Sequence, residues 1–180
     1  NTFIGYSSGI GNILNHGNTY VGTFTGQNNL GSYNVSMGYG ALTTNNTSTN
    51  YTVAIGNNAG GGMTGNNNAL LGSGAGQFMN GSDNVLIGYN AGISSYGSGP
   101  YTGSGNVLIG NNVGGSLGLS NKLFIDNTGT TTPLIWGDFA LDQVKLNGRV
   151  GIGAVGTFPT TAGSVNVANY RLFVTGGILT

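Results

Sequence analysis

Apolar positions in the first 115 residues come in short triplets, each preceded by a polar residue and closed by glycine. The phrase reads Asn1-Thr-Phe-Ile-Gly5, Asn18-Thr-Tyr-Val-Gly22, Asn34-Val-Ser-Met-Gly38, Asn68-Ala-Leu-Leu-Gly72, Asn84-Val-Leu-Ile-Gly88 and Asn106-Val-Leu-Ile-Gly110. A seventh copy, Thr52-Val-Ala-Ile-Gly56, begins with threonine. The closing glycines are 17, 16, 18, 16, 16 and 22 residues apart. Several copies continue into a second phrase: Asn57-Asn-Ala-Gly60, Ser73-Gly-Ala-Gly76, Tyr89-Asn-Ala-Gly92 and the variant Asn111-Asn-Val-Gly114. Self-similarity at such a period marks a solenoid. Each copy predicts one coil: a strand of about five residues, a glycine where the chain turns through a conformation other residues resist, a second short strand carrying the small residues, and a polar return loop. The expected fold is all-β, a β-solenoid of 16–18-residue coils over residues 1–115. Coils stacked about 4.7–4.9 Å apart would set the asparagines one above another as a hydrogen-bonded ladder.

Strand residues alternate faces. The residues one and three before each glycine, such as Ile87 and Val85, are expected to fill the coil interior. The residue two before it would then face outward, and this column reads Phe3, Tyr20, Ser36, Ala54, Leu70, Leu86, Leu108. A ribbon apolar on both faces is not a solvated surface, so a second copy of the chain is expected to cover it. Phe3, Tyr20, Leu70, Leu86 and Leu108 become the expected oligomer interface, with three-fold symmetry as a closed arrangement. Ala41, Ala59, Ala75 and Ala91 would allow close backbone approach near a common axis. The 22-residue step carries Gly, Ser and Tyr over residues 93–105, a surface loop by composition.

The pattern changes near residue 115. Strand-like runs at 122–126, 133–139, 143–146, 149–152 and 170–175 predict a smaller β module over 116–180, intertwined between subunits, with Asn147-Gly148 as a hairpin signal and Trp136 as a packing anchor. Only 4% of residues are charged, four basic and four acidic, and every charge except Asp83 lies after residue 120. That leaves no basic patch for nucleic acid. With no cysteine, disulfides and thiolate metal sites are excluded. No stretch has helical apolar spacing, and no apolar run approaches the ~18 residues of a membrane span. The chain opens on Asn1 rather than Met, which suggests a longer or processed polypeptide.

The phrase Asn-Val-Leu-Ile-Gly-Tyr-Asn-Ala-Gly at 84–92 resembles the left-handed β-roll heads of trimeric autotransporter adhesins, and still more the Gly/Asn repeats of phage tail fibres and related bacterial surface proteins. The run Asn121-Lys-Leu-Phe-Ile-Asp126, Thr132-Pro-Leu-Ile-Trp-Gly-Asp138, Val150-Gly-Ile-Gly153 and Tyr170-Arg-Leu-Phe-Val174 is similar to segments that precede an endosialidase-type intramolecular chaperone in such fibres. The resemblance implies a homotrimeric extracellular rod. It carries over no autoproteolytic residue, because the chaperone is not among these residues.

The remaining chemistry is sparse. Asp126, Asp138 and Asp142 are candidates for a carboxylate pair in glycoside hydrolysis, but Asp126-Asn127 and Gly137-Asp138 are turn-type pairs, and the turn reading is preferred. Asp83 stands alone in the coils, so calcium-binding repeats fail. His16 falls in a loop-like Asn-His-Gly, and Gly60–Gly62 lacks the Lys-Ser/Thr of a phosphate loop. Tyr6, Tyr39 and Tyr89, directly after coil glycines, and Tyr96 and Tyr101 in the long loop, are candidate surface or glycan contacts. The expectation is a non-enzymatic, cofactor-free structural and adhesive fibre segment that attaches to a cell or other surface. A polysaccharide-degrading tail-spike enzyme and a self-assembling extracellular filament subunit are the alternatives. An ice-binding solenoid ranks last.

Overall fold

Each Asn-x-x-apolar-Gly phrase folds as one three-residue strand that ends at its glycine. The computed structural model describes residues 1–12, 14–44, 47–93, 103–115 and 118–148. In it these strands are β1 (Thr2–Ile4), β2 (Thr19–Val21), β3 (Val35–Met37), β4 (Val53–Ile55), β5 (Ala69–Leu71), β6 (Val85–Ile87) and β7 (Val107–Ile109). Three more, β8 (Lys122–Ile125), β9 (Ile135–Asp138) and β10 (Gln143–Leu146), complete a single ten-stranded sheet in chain order. β1 to β8 pair in parallel, β8 to β10 antiparallel. The described residues contain no helix, and the architecture is a β-solenoid of about seven turns. One compact unit spans Asn1–Asn147. A second, Gly148–Thr180, lies outside the described residues apart from Gly148, as do the strands expected at 149–152 and 170–175.

The Ala-Gly phrase does not form the second strand expected of it. The second and fourth residues after the coil glycine take positive φ, for example Asn58 at 51° and Gly60 at 63°, or Asn90 at 51° and Gly92 at 65°. A strand needs negative φ throughout. The chain instead makes successive turns whose N–H groups reach alternately backward and forward: Asn58 to the Tyr39 carbonyl at 2.8 Å, Gly60 to Ala75 at 2.8 Å, Gly62 to Thr43 at 2.6 Å. Glycine is required where the strand meets this turn ladder. At Gly72 (φ 138°) a Cβ would run into the carbonyl oxygen of Gly88 in the next coil.

Two side-chain ladders run along the sheet's leading edge. In the first, each phrase's opening residue accepts the N–H of its equivalent one coil on: Asn18 donates to the Asn1 Oδ1 at 2.9 Å, Asn34 to Asn18 at 2.9 Å, Thr52 to Asn34 at 2.9 Å, and Asn68 to the Thr52 hydroxyl at 3.3 Å. The series continues from Asn84 to Asn68 at 3.0 Å, Asn106 to Asn84 at 2.9 Å and Lys122 to Asn106 at 3.0 Å. The amide groups also donate forward, Asn34 to the Thr49 carbonyl at 2.6 Å and Asn68 to Gly81 at 3.0 Å. The second ladder lies two residues earlier and points the opposite way. Backbone N–H groups of His16, Ser32, Asn50, Asn66, Ser82 and Ser104 donate to side chains of Ser32, Asn50, Asn66, Ser82, Ser104 and Ser120 at 2.8–3.3 Å.

The interior is one column of side chains from the sheet meeting small residues from the turns. Register stacks Phe3, Tyr20, Ser36, Ala54, Leu70, Leu86, Leu108, Phe124, Trp136 and Lys145 in sequence. Ala59, Ala75, Ala91 and Val113 face them, fully buried. Volumes compensate locally. Where the column narrows to Ser36 and Ala54, Leu42 replaces the turn glycine and Met63 fills the remaining space, both fully buried. Where it widens to Tyr20, Gly26 gives way to the ring, and the Asn12 and Asn29 amides each lie 3.4 Å from its hydroxyl. Burial pushes the Tyr20 phenol up to about 12, against the opposing hydrogen bonds of Asn34, Asn12 and Asn29.

The asparagine ladder stops at a charge. Lys122 takes the rung after Asn106, and its ammonium can only donate. It reaches the Asp138 carboxylate at 2.7 Å, on the strand where the sheet reverses direction. Replacing Asn84 with Ala removes the acceptor for both the Asn106 N–H and its amide, and should lower stability by about 1–3 kcal/mol. Ser36→Ala should act in the opposite direction, gaining up to about 1 kcal/mol. The Ser36 hydroxyl is buried without a partner among the described residues. Urea denaturation midpoints of the two variants measure both effects.

Candidate interaction surface

The structure assigns the two strand faces the other way round from the alternation argument. Tyr20, Leu70, Leu86 and Leu108 lie inside their own coils at 0–1% exposure, so they cannot meet a neighbouring chain. Phe3 belongs to the same interior column; its ring stacks on Tyr20 at 5.0 Å and 9°, leaving it 36% exposed at the column's end. Ala41, Ala59, Ala75 and Ala91 are likewise interior, fully buried within their own coils. The physical reason is the ladder. Each asparagine shares its face with the residue two positions later, and burying Asn18, Asn34, Asn68, Asn84 and Asn106 carries that residue inward with it.

The columns expected inside therefore face out. Val53, Ile87 and Leu71 are 41%, 37% and 49% exposed, and Ile4, Val35, Met37, Val85, Val144 and Leu146 are exposed as well, while Val21, Ile55, Val107, Ile109, Leu123, Ile125 and Ile135 are half-buried. Register carries the two columns unbroken through the antiparallel strands, as Val107, Leu123, Gly137, Val144 and as Ile109, Ile125, Ile135, Leu146. Ten strands at ~4.8 Å make a strip about 43 Å long. It contains no charged residue. Parallel sheets are normally covered on both faces, and an aliphatic band of this length exceeds the scattered apolar residues of an ordinary surface.

Tyr6, Tyr39 and Tyr89 are more than half exposed at the strand ends. Phe24 lies between the first two, edge-on to each, with centroids 5.6 Å from Tyr6 and 5.7 Å from Tyr39. A second pair, Tyr33 and Tyr51, stacks at 5.2 Å and 7°. Tyr96 and Tyr101 lie outside the described residues. Phe24, Tyr33 and Tyr51 escaped the motif reading because they sit outside the repeated phrase. Their signal is positional: Phe24 stands where other copies carry Gly, Asn or Ser, and Tyr33 and Tyr51 where others carry Gly, Asn or Asp.

The aspartates are held in separate local roles. Asp138 pairs with Lys122 and accepts the Ala140 N–H at 3.0 Å. The Lys122 ammonium holds its carboxyl below the usual carboxylate range. Partial burial raises Asp126, but the N–H groups of Asn127 and Leu134 and the Thr128 hydroxyl outweigh it and leave that carboxyl lowered as well. Asp142 is exposed in the turn between β9 and β10 with φ 53°. Asp83 accepts the Asn67 amide at 3.0 Å, and His16 is exposed beside the second ladder. Among the described residues no three His, Cys, Asp or Glu side chains gather as a metal site requires, and no helix is long and apolar enough to cross a membrane.

A depressed folded-state pKa stabilises the fold above the unfolded value and loses that contribution as pH falls through the folded one. Asp138→Asn should therefore be less stable than the parent at about pH 6, and the gap should close by about pH 2. Asp126, lowered independently, contributes equally to both proteins. Urea midpoints across that range measure the difference. No protein-family model, curated protein or solved structure matches this chain.

Proposed function

We propose that the chain is a structural and adhesive segment of an extracellular fibre, a homotrimeric β-solenoid rod that holds its turn surfaces toward a cell or other surface. The observation that carries this reading is the continuous, charge-free aliphatic strip on the outer face of the sheet. Water against a strip about 43 Å long that is mostly Val, Ile and Leu is costly at roughly 25 cal/mol per Å². A sister chain presents the same strip at the same spacing and is its simplest complement. Three copies close the arrangement with all strips facing inward and the turn ladders outward. Stiffness follows from hydrogen bonds that run along the axis in the sheet, the turns and both ladders. Each weak surface contact is then offered three times, which raises avidity without a tight single site. With Asp83 as the one charged side chain in the coils, the shaft avoids nonspecific ionic partners.

Size-exclusion chromatography with light scattering tests the reading directly. The expected mass is that of three 18.1 kDa chains. A monodisperse monomer at micromolar concentration refutes the rod, and a mass that grows with concentration points to an open filament. Val53→Lys with Ile87→Lys should yield a folded monomer. A lysine on an exposed strand costs little, whereas six buried ammonium groups without partners cost several kcal/mol each.

A further inference from the structure

We infer that Tyr6, Phe24 and Tyr39 form a platform for an uncharged carbohydrate, which names a ligand class for the attaching rod proposed above and rests on that reading for its biological use. The three rings come from three successive coils. Tyr6 and Tyr39 each follow a coil glycine, and Phe24 follows one residue later in the coil between them. Tyr6 is 74% exposed and Tyr39 54%, so neither is a core residue. Phe24 holds both edge-on, at 80° and 88°. It does so from φ 57°, a region that a bulky residue rarely takes. The same coil position elsewhere is Ser7, Gly40, Asn58, Gly74, Asn90 and Asn112, types suited to that conformation. An aromatic residue placed in this backbone, with two rings left in water, contributes order to the surface more than burial to the core.

That order suits a saccharide. Tyrosine offers an apolar ring and a polar tip, matching the C–H-rich face and hydroxyl rim of a pyranose. Rings fixed in advance lose little freedom on binding. Tyr6 and Tyr39 stand two coils apart, ~9.6 Å, a span that two linked pyranose units cover. No charged side chain occurs before Asp83, so nothing in this part of the coils recognises a sialic acid, uronate or phosphate. Tyr89 occupies the position equivalent to Tyr6 and Tyr39, but the coils on either side carry Gly74 and Asn112 where Phe24 stands, so no aromatic residue at that position braces it. It is the internal control.

The test uses the whole chain, with its mass followed by light scattering, and neutral probes: cellohexaose, chitohexaose and maltohexaose, read by saturation-transfer NMR and titration. At least one should bind with an affinity insensitive to salt. Tyr6→Ala with Tyr39→Ala should weaken it by about tenfold, and Phe24→Gly, which relieves the backbone, should weaken it while leaving the thermal midpoint unchanged or higher. Tyr89→Ala should have no effect. The platform is overturned if none of the three probes binds, if the tyrosine variants bind as the parent does, or if a carbohydrate-free polypeptide such as synthetic polyproline is retained through these tyrosines and the saccharides are not. A trimer that fails to bind removes the platform alone, and a monomer that binds removes the rod alone.

Discussion

A backbone that returns to the same place every ~4.8 Å sets each residue against its own equivalent, and the rest of the structure answers to that constraint. Side chains that tolerate their own kind at this distance become columns: aliphatic groups, stacked rings, amides that accept from one neighbour and donate to another. Those that do not tolerate it become glycine. The positive-φ positions show the rule in detail. Asn58 lies over Gly40, Phe78 over Gly62, Asn90 over Gly74 and Asn121 over Gly105, and a Cβ on any of these glycines would strike the side chain above it. Glycine content here is an account of near neighbours along the axis as much as of turn conformation.

Much of this was legible in the sequence. The spacing of closing glycines located every strand from β1 to β7, the runs at 122–126, 133–139 and 143–146 located β8 to β10, and the repeated asparagine announced its ladder. What could not be read was phase. When both faces of a ribbon are apolar, hydrophobicity does not distinguish inside from outside. The deciding facts were steric and polar: an interior column whose size varies from Tyr20 to Ala54 because it must match Leu42 and Met63 across the coil, and a buried amide two residues upstream. The outward columns vary far less, being mostly Val, Ile and Leu. Variation marks the bespoke interior, and uniformity the face turned away from it. The turn ladder was missed for a different reason. The Ala-Gly phrase has strand-like brevity, and only backbone angles reveal that alternate residues are left-handed. The ladder of Ser32, Asn50, Asn66, Ser82 and Ser104 was present at a fixed offset from the asparagines, but serine and asparagine in a loop look unremarkable until the coils are aligned.

The two sides of the sheet divide the labour. Inward, each buried leucine stabilises by about 2 kcal/mol, and the ladders satisfy the backbone edges that a narrow coil would otherwise leave dry and unpaired. Outward, the chain's own fold leaves the aliphatic strip only partly covered. The antiparallel hairpin of β9 and β10 prolongs that strip while ending the coil itself. Trp136 packs against the core and the exposed Lys145 follows it in register, so the inner column finishes on a cation while the outer columns continue through Val144 and Leu146.

Because each period is closed on itself, the segment from Ser73 to Gly88 is a removable unit whose upper and lower neighbours present the same edges. Duplicating or deleting it would leave every contact type intact and change only the distance between the two ends, in increments of one coil, ~4.8 Å. Length in such a molecule is therefore quantised, and a lineage can tune reach by counting modules without redesigning any of them.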